Sequence, residues 1–102
     1  MSVPVNVSAE GSVGIIELAR PDKFNCLSLE VHECISKGRE SFEADRDIRS
    51  ILICAQGKHF CTGADLTEVK DKMSDAQALD HFIAFGMEGL RRLEQSCLPV
   101  VV

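Results

Sequence analysis

No apolar run in this sequence approaches the roughly 20 residues that crossing a bilayer requires, and the opening "MSVPVNVSAEG" has no basic region followed by an apolar stretch. A membrane span is excluded on that ground, no secretory signal is read, and a soluble cytoplasmic protein is the expectation. Clustered basic residues are also missing, and the formal charge is −5. Nucleic-acid binding needs such a cluster to displace counterions from phosphates, so no nucleic-acid partner is expected. An anionic ligand has to be held by a few local groups.

The five cysteines, Cys26, Cys34, Cys54, Cys61 and Cys97, include no CxxC pair. Their odd number and irregular spacing fit neither a zinc site nor a disulfide framework. Reduced thiols serving as small core residues in a reducing compartment are expected. His59 and Cys61 lack further ligands at useful spacing, so no metal site is read.

What the chain does contain is enough for about one small domain: 102 residues, 45% hydrophobic and 26% charged. Apolar and polar residues alternate from Val3 to Val7, "SAEGSVG" supplies turn residues, and "VGIIEL" resumes a strand pattern. This predicts a β-hairpin that stops at "RPDK". Ser28 is placed to cap a helix whose stripe is Val31, Cys34, Ile35, Gly38 and Phe42, with His32 beside it as a surface or packing residue. "SILICAQG" reads as a strand buried on both faces. A short helix follows, with Asp65 and Glu68 spaced as a capping box. A longer one runs from about Asp75 to Ser96, on an apolar stripe that includes Phe82, Gly86, Met87 and Leu90. Phe82 and Phe85 are read as core packing rather than a stacking pair, and "LPVVV" as the start of another buried strand. Strand–helix–strand units in this order imply an α/β fold with a mostly parallel sheet. An apolar strand running to Val102 without a polar cap is what the first part of a larger domain would show.

The stretch "GKHFCTGADL" is the chemically suggestive one. A loop beyond the carboxyl end of a parallel strand is where open α/β sheets place ligands. Here the loop carries small residues, Gly63 and Ala64, immediately before a helix start. Amides at a helix start lack intrahelical acceptors and suit an oxygen that gains negative charge during reaction. Simple turn-making by Gly57 and Gly63, with Asp65 as a cap, explains the same pattern, and the two readings stay open on spacing alone.

Together with "IRSILICAQ" and "LARPDKFNCLSLEVHECI", this loop resembles the enoyl-CoA hydratase/isomerase (crotonase) superfamily over essentially the whole chain. The resemblance implies a crotonase-like fold, with residues 1–102 as the N-terminal part of such a domain. It further implies an acyl-CoA thioester as substrate, CoA entering only as part of that substrate, no separate cofactor, no membrane partner and a trimer or dimer of trimers. Ala64 matches the position whose backbone N–H meets the thioester carbonyl oxygen. Gly63, Asp65 and Leu66 adjoin it on the acyl-CoA contact. Lys23, Phe24 and Cys26 fall on the segment that lines the CoA nucleotide and pantetheine. Asn25 matches a residue that fixes the turn, and Cys26 stands where alanine is usual. The catalytic glutamates and second oxyanion donor of family members would follow Val102, and Glu68 and Glu88 read as helix-surface residues. Enoyl-CoA hydratase, in fatty acid metabolism, is the leading expectation. An isomerase or other crotonase reaction, or a truncated non-catalytic CoA-binding or assembly module, is the alternative.

Overall fold

The computed structural model describes residues 3–102. Strands β1 (Val5–Glu10) and β2 (Val13–Leu18) form the hairpin, in antiparallel register from Val5↔Leu18 to Glu10↔Val13. The turn is shorter than the "SAEGSVG" run suggests. Ser8, Ala9 and Glu10 stay in the ladder, leaving only Gly11 and Ser12 to reverse the chain.

Helix α1 (Leu29–Ala44) starts at Ser28, whose side chain accepts from the Val31 N–H at 3.1 Å. Strand β3 (Ser50–Ala55) returns parallel to β2, and β4 (Val100–Val101) pairs parallel with β3 through Ile51 and Leu52. The sheet order is β1-β2-β3-β4, with one antiparallel and two parallel pairings. Between β3 and β4 lie α2 (Leu66–Lys72) and α3 (Ala76–Glu94), the latter capped by Asp75 through the Ala78 N–H.

The core forms where α1 lies on one face of the sheet. Val31, Ile35 and Phe42 from α1 meet Ile16 of β2 and Ile51 and Ile53 of β3. Each fully buried aliphatic side chain here contributes about 1.5–3 kcal/mol relative to exposure.

Three burial expectations are corrected. Along β3 only Ile51 and Ile53 are fully buried, and the residues between them are partly covered. The strand therefore alternates instead of being sealed on both faces. Val101 and Val102 are exposed, so the last strand is not a buried one. Likewise α3 buries only Phe82 and Gly86 of its apolar stripe, while Ile83, Met87 and Leu90 remain open. In this chain α3 packs on α1 and α2 along one narrow line.

The cysteines are all free thiols: Cys97 is exposed and the others are half-buried, with Cys34 and Cys61 against the core. That is looser packing than small core residues would have. No group of three potential metal ligands occurs among the described residues, and no helix is long and apolar enough to cross a membrane.

Candidate active site

The site is assembled from the two segments that leave the carboxyl ends of β2 and β3. Pro21 opens a single 3-10 turn, Pro21–Lys23, and the next two residues take left-handed backbone angles, φ 57° at Phe24 and 54° at Asn25. Such angles are disfavoured for L-residues, and asparagine tolerates them better than most. Asn25 is 2% exposed and fully employed. Its Oδ1 accepts from the Arg20 N–H at 2.8 Å, and its Nδ2 donates to the carbonyls of Gln56 at 2.8 Å and His59 at 2.9 Å. One buried amide thus ties the turn after β2 to the loop after β3, as expected of a turn-fixing residue.

Beyond that tie the two segments pair directly. The Leu27 N–H donates to the Gly63 carbonyl at 2.7 Å, and the Asp65 N–H donates to the Leu27 carbonyl at 3.0 Å. Leu27 and Ala64 are therefore opposed across a parallel bridge. In such a bridge the groups flanking Ala64 face Leu27, so Ala64's own N–H and carbonyl face the other way. Among the described residues this N–H has no acceptor. Gly63, at φ 102°, takes the angle this approach needs and presents no side chain.

Both helices start here. Asp65 caps α2, its Oδ1 accepting from the N–H groups of Thr67 at 3.0 Å and Glu68 at 3.2 Å. Its Oδ2 pairs with Arg20 at 3.4 Å. Burial opposes ionisation of this carboxyl, but the Glu68 N–H, the Arg20 charge and the Thr67 N–H outweigh it, and its pKa is held below the usual value. The capping box is half formed. Glu68 does not return to its own N-cap; its Oε2 accepts from the Leu29 N–H at 3.0 Å and its Oε1 from Lys72 at 3.0 Å. With its side chain only 19% exposed, Glu68 joins the starts of α1 and α2 and is not a surface residue. Glu88 is one, paired with Arg91 and Arg92 in the open.

Ala64 is the point where two cavities meet. The first has a mixed lining, charged at Lys23 and Asp65 and apolar at Phe24, Cys26 and Leu66, among others. The second, about 330 Å³, is apolar and runs between Leu27 and Gly63 on one side and Phe82, Met87 and Leu90 of α3 on the other. Lys23, Phe24, Cys26, Gly63, Ala64, Asp65 and Leu66, the residues the resemblance assigns to the ligand, thus each lie on one of these walls. Phe24 is exposed, with His59 edge-on at 5.5 Å between centroids. The Cys26 thiol is pushed up in pKa by burial and by Asp65 beside it, so it stays protonated.

Three residues were not legible as site members. Arg20 fastens Asp65, Glu68 fastens α1, and His32 lines the apolar cavity. His32 is a packing residue, as one of its two expected roles had it, and is buried against Phe82. A sequence clue exists only for Glu68, which lies three residues after Asp65 and four before Lys72.

A mixed sheet and two helix starts gather around one unpartnered amide, an arrangement whose fold is shared with solved enoyl-CoA hydratases. The family model for enoyl-CoA hydratase/isomerase matches residues 13–101, and the chain belongs to that family. A probable enoyl-CoA hydratase of Mycobacterium bovis is 35% identical over 81 residues, covering 78% of this chain and 32% of that protein. The mevalonyl-coenzyme A hydratase of Beauveria bassiana is 32% identical over 65 residues, 64% of this chain and 23% of that one. Among solved structures, an enoyl-CoA hydratase/isomerase from Mycobacterium paratuberculosis superposes with a TM-score of 0.84 at 27% identity, over 98% of this chain and 40% of that chain. The enoyl-CoA hydratase from Bacillus anthracis gives 0.85 at 26% identity, over 95% and 38%. The chain spans about a third of the length of the curated relatives it matches first.

Proposed function

We propose that this chain supplies one wall of an acyl-CoA site, with enoyl-CoA hydration as its reaction and the Ala64 N–H as a donor to the thioester oxygen. The single observation that carries the reading is that amide: outward-facing, unpartnered, and set where a cavity of mixed lining meets an apolar one. Adding water to a conjugated thioester builds charge on the carbonyl oxygen, and a preorganised N–H in a dry site stabilises that charge by roughly 3–4 kcal/mol. CoA lies along Lys23, Phe24, Cys26, Asp65 and Leu66, and the acyl group enters past Gly63 between Leu27 and α3. The relatives named as hydratases support this choice of reaction within the family.

Assembly as a trimer or dimer of trimers belongs to the same proposal. The exposed Ile83, Met87 and Leu90 also favour a second reading, a CoA-binding module that packs on partners.

Lys23 provides the test. It is exposed, and no carboxylate among the described residues is within ion-pair distance of it. Lys23→Ala should weaken CoA and reduce the salt dependence of its binding, with a smaller effect on a pantetheine thioester that lacks the nucleotide phosphates. Amide resonances of residues 22–26 and 62–67 should shift on CoA addition. Equal losses for both ligands remove the phosphate contact, and shifts confined to other residues remove the site.

A further inference from the structure

His32 is 7% exposed on α1, with its ring edge-on to Phe82 of α3 at 6.2 Å between centroids. The helices come this close because residue 86 is glycine: a Cβ there would sit 2.7 Å from His32 Nε2. The imidazole is clamped, yet among the described residues no hydrogen bond reaches either ring nitrogen. Neither nitrogen is sealed off. Among those residues, Arg39 Nε is the fully enclosed side-chain polar atom without a partner. His32 lines the cavity it shares with Ala64, with the Nε2 edge of its ring turned toward Gly86. It is the one polar side chain among the described residues on that lining, which is otherwise Leu27, Gly63, Ala64 and apolar residues of α3.

An imidazole without a partner is a poor wall for a plain alkyl chain, because a buried polar group left unmatched is costly. Burial pushes the ring's pKa down, against the opposing charge of Glu68, and keeps it neutral. A neutral imidazole offers one N–H and one lone pair. A cavity of about 330 Å³ is at the small end for a ligand pocket and suits a short acyl group.

We propose that His32 is a specificity-determining residue. It selects acyl-CoA thioesters whose short acyl group carries a hydroxyl or oxo substituent, hydrogen-bonding that oxygen while the Ala64 N–H holds the thioester carbonyl. This rests on the acyl-CoA reading above.

The test is calorimetric titration of the purified protein with free CoA, butyryl-CoA, 3-hydroxybutyryl-CoA and 4-hydroxybutyryl-CoA. One hydroxylated ligand should bind roughly threefold to tenfold more tightly than butyryl-CoA. His32→Leu should abolish that ratio, and His32→Gln should keep part of it. Nitrogen-15 spectra of the wild-type imidazole give a readout that needs no variant: the preferred ligand should shift the ring nitrogens and butyryl-CoA should not. Binding of CoA and butyryl-CoA with no preference for either hydroxylated ligand overturns the inference and leaves the acyl-CoA site standing. A preference that survives in folded His32→Leu, or unmoved ring resonances, overturns it too. Binding of none of the four overturns both.

Discussion

Leu27 and Ala64 are opposed across a parallel bridge whose two hydrogen bonds belong to Leu27 and to the neighbours of Ala64. That pairing turns the Ala64 N–H away from the protein's own acceptors, and it makes the first prediction specific. Replacing the Gly63–Ala64 amide by an ester removes this N–H, leaves the Asp65 bridge bond in place and keeps the Gly63 carbonyl as a weaker acceptor for Leu27. Ala64→Pro removes the same N–H genetically, with some risk to the turn. Either change should weaken an acyl-CoA ligand by roughly twofold to tenfold while free CoA is little affected. In an active enzyme built on these residues, turnover should fall roughly 100- to 1,000-fold. A folded ester variant with unchanged thioester affinity would remove Ala64 from the site.

Asn25 tests the scaffold without touching the ligand. Asn25→Ala strands the Arg20 N–H and the carbonyls of Gln56 and His59, and asks alanine to hold φ 54°. A loss of about 2–4 kcal/mol in urea unfolding is expected from the stranded groups and the angle together. Asn25→Gly accepts the angle and should recover about 1 kcal/mol of it. If the two variants unfold alike, the left-handed turn is not what the asparagine sustains.

The pH dependence of stability should carry the mark of His32. Burial lowers its folded pKa from the ordinary 6.5, while the nearby Glu68 carboxylate acts the other way and Lys72 sits over the adjoining Phe82 ring at 5.8 Å. The unfolded chain then binds the proton more readily than the folded one. The contribution is complete above pH 6.5 and is lost as the pH falls through the unfolded pKa toward the folded one. His32→Leu should flatten the decline in unfolding free energy on acidifying below neutrality. An identical slope in both proteins would mean the ring protonates freely in the folded state.

Much of this architecture is legible in residue order. Ser28, Asp65 and Asp75 announce three helix starts because a cap is a local event, decided by one side chain and the N–H groups just after it. Val31, Ile35 and Phe42 announce the buried face of α1 by period. What stayed hidden depends on neighbours distant in sequence. Glu68 looks like a reciprocal cap until the start of α1, 39 residues earlier, is seen to take its carboxylate. His32 looks like ordinary packing until Gly86 lets α3 close over it. Ile83, Met87 and Leu90 show the converse: an apolar period specifies that a face can be buried, and not by what.

A polypeptide of these 102 residues is expected to bind acyl-CoA without hydrating it. Hydration needs a base to activate water and an acid to protonate the carbon next to the thioester, each worth about 100- to 10,000-fold. Around Ala64, the apolar cavity has no carboxylate on its lining among the described residues; His32 is its one titratable side chain. The mixed cavity has Asp22 and Asp65. Asp65 is committed to two amides and to Arg20, which holds it ionised and unsuited to giving up a proton near neutrality. Asp22 belongs to the wall assigned to CoA, away from the acyl group. One N–H donor is also fewer than the two that family members bring to the oxygen. The measurement is loss of the conjugated enoyl-thioester absorbance with crotonyl-CoA, alongside calorimetry that reports binding. Turnover near that of an ordinary enzyme would overturn this prediction and single out His32 or Asp65 as the proton carrier, which His32→Leu and Asp65→Asn would then separate.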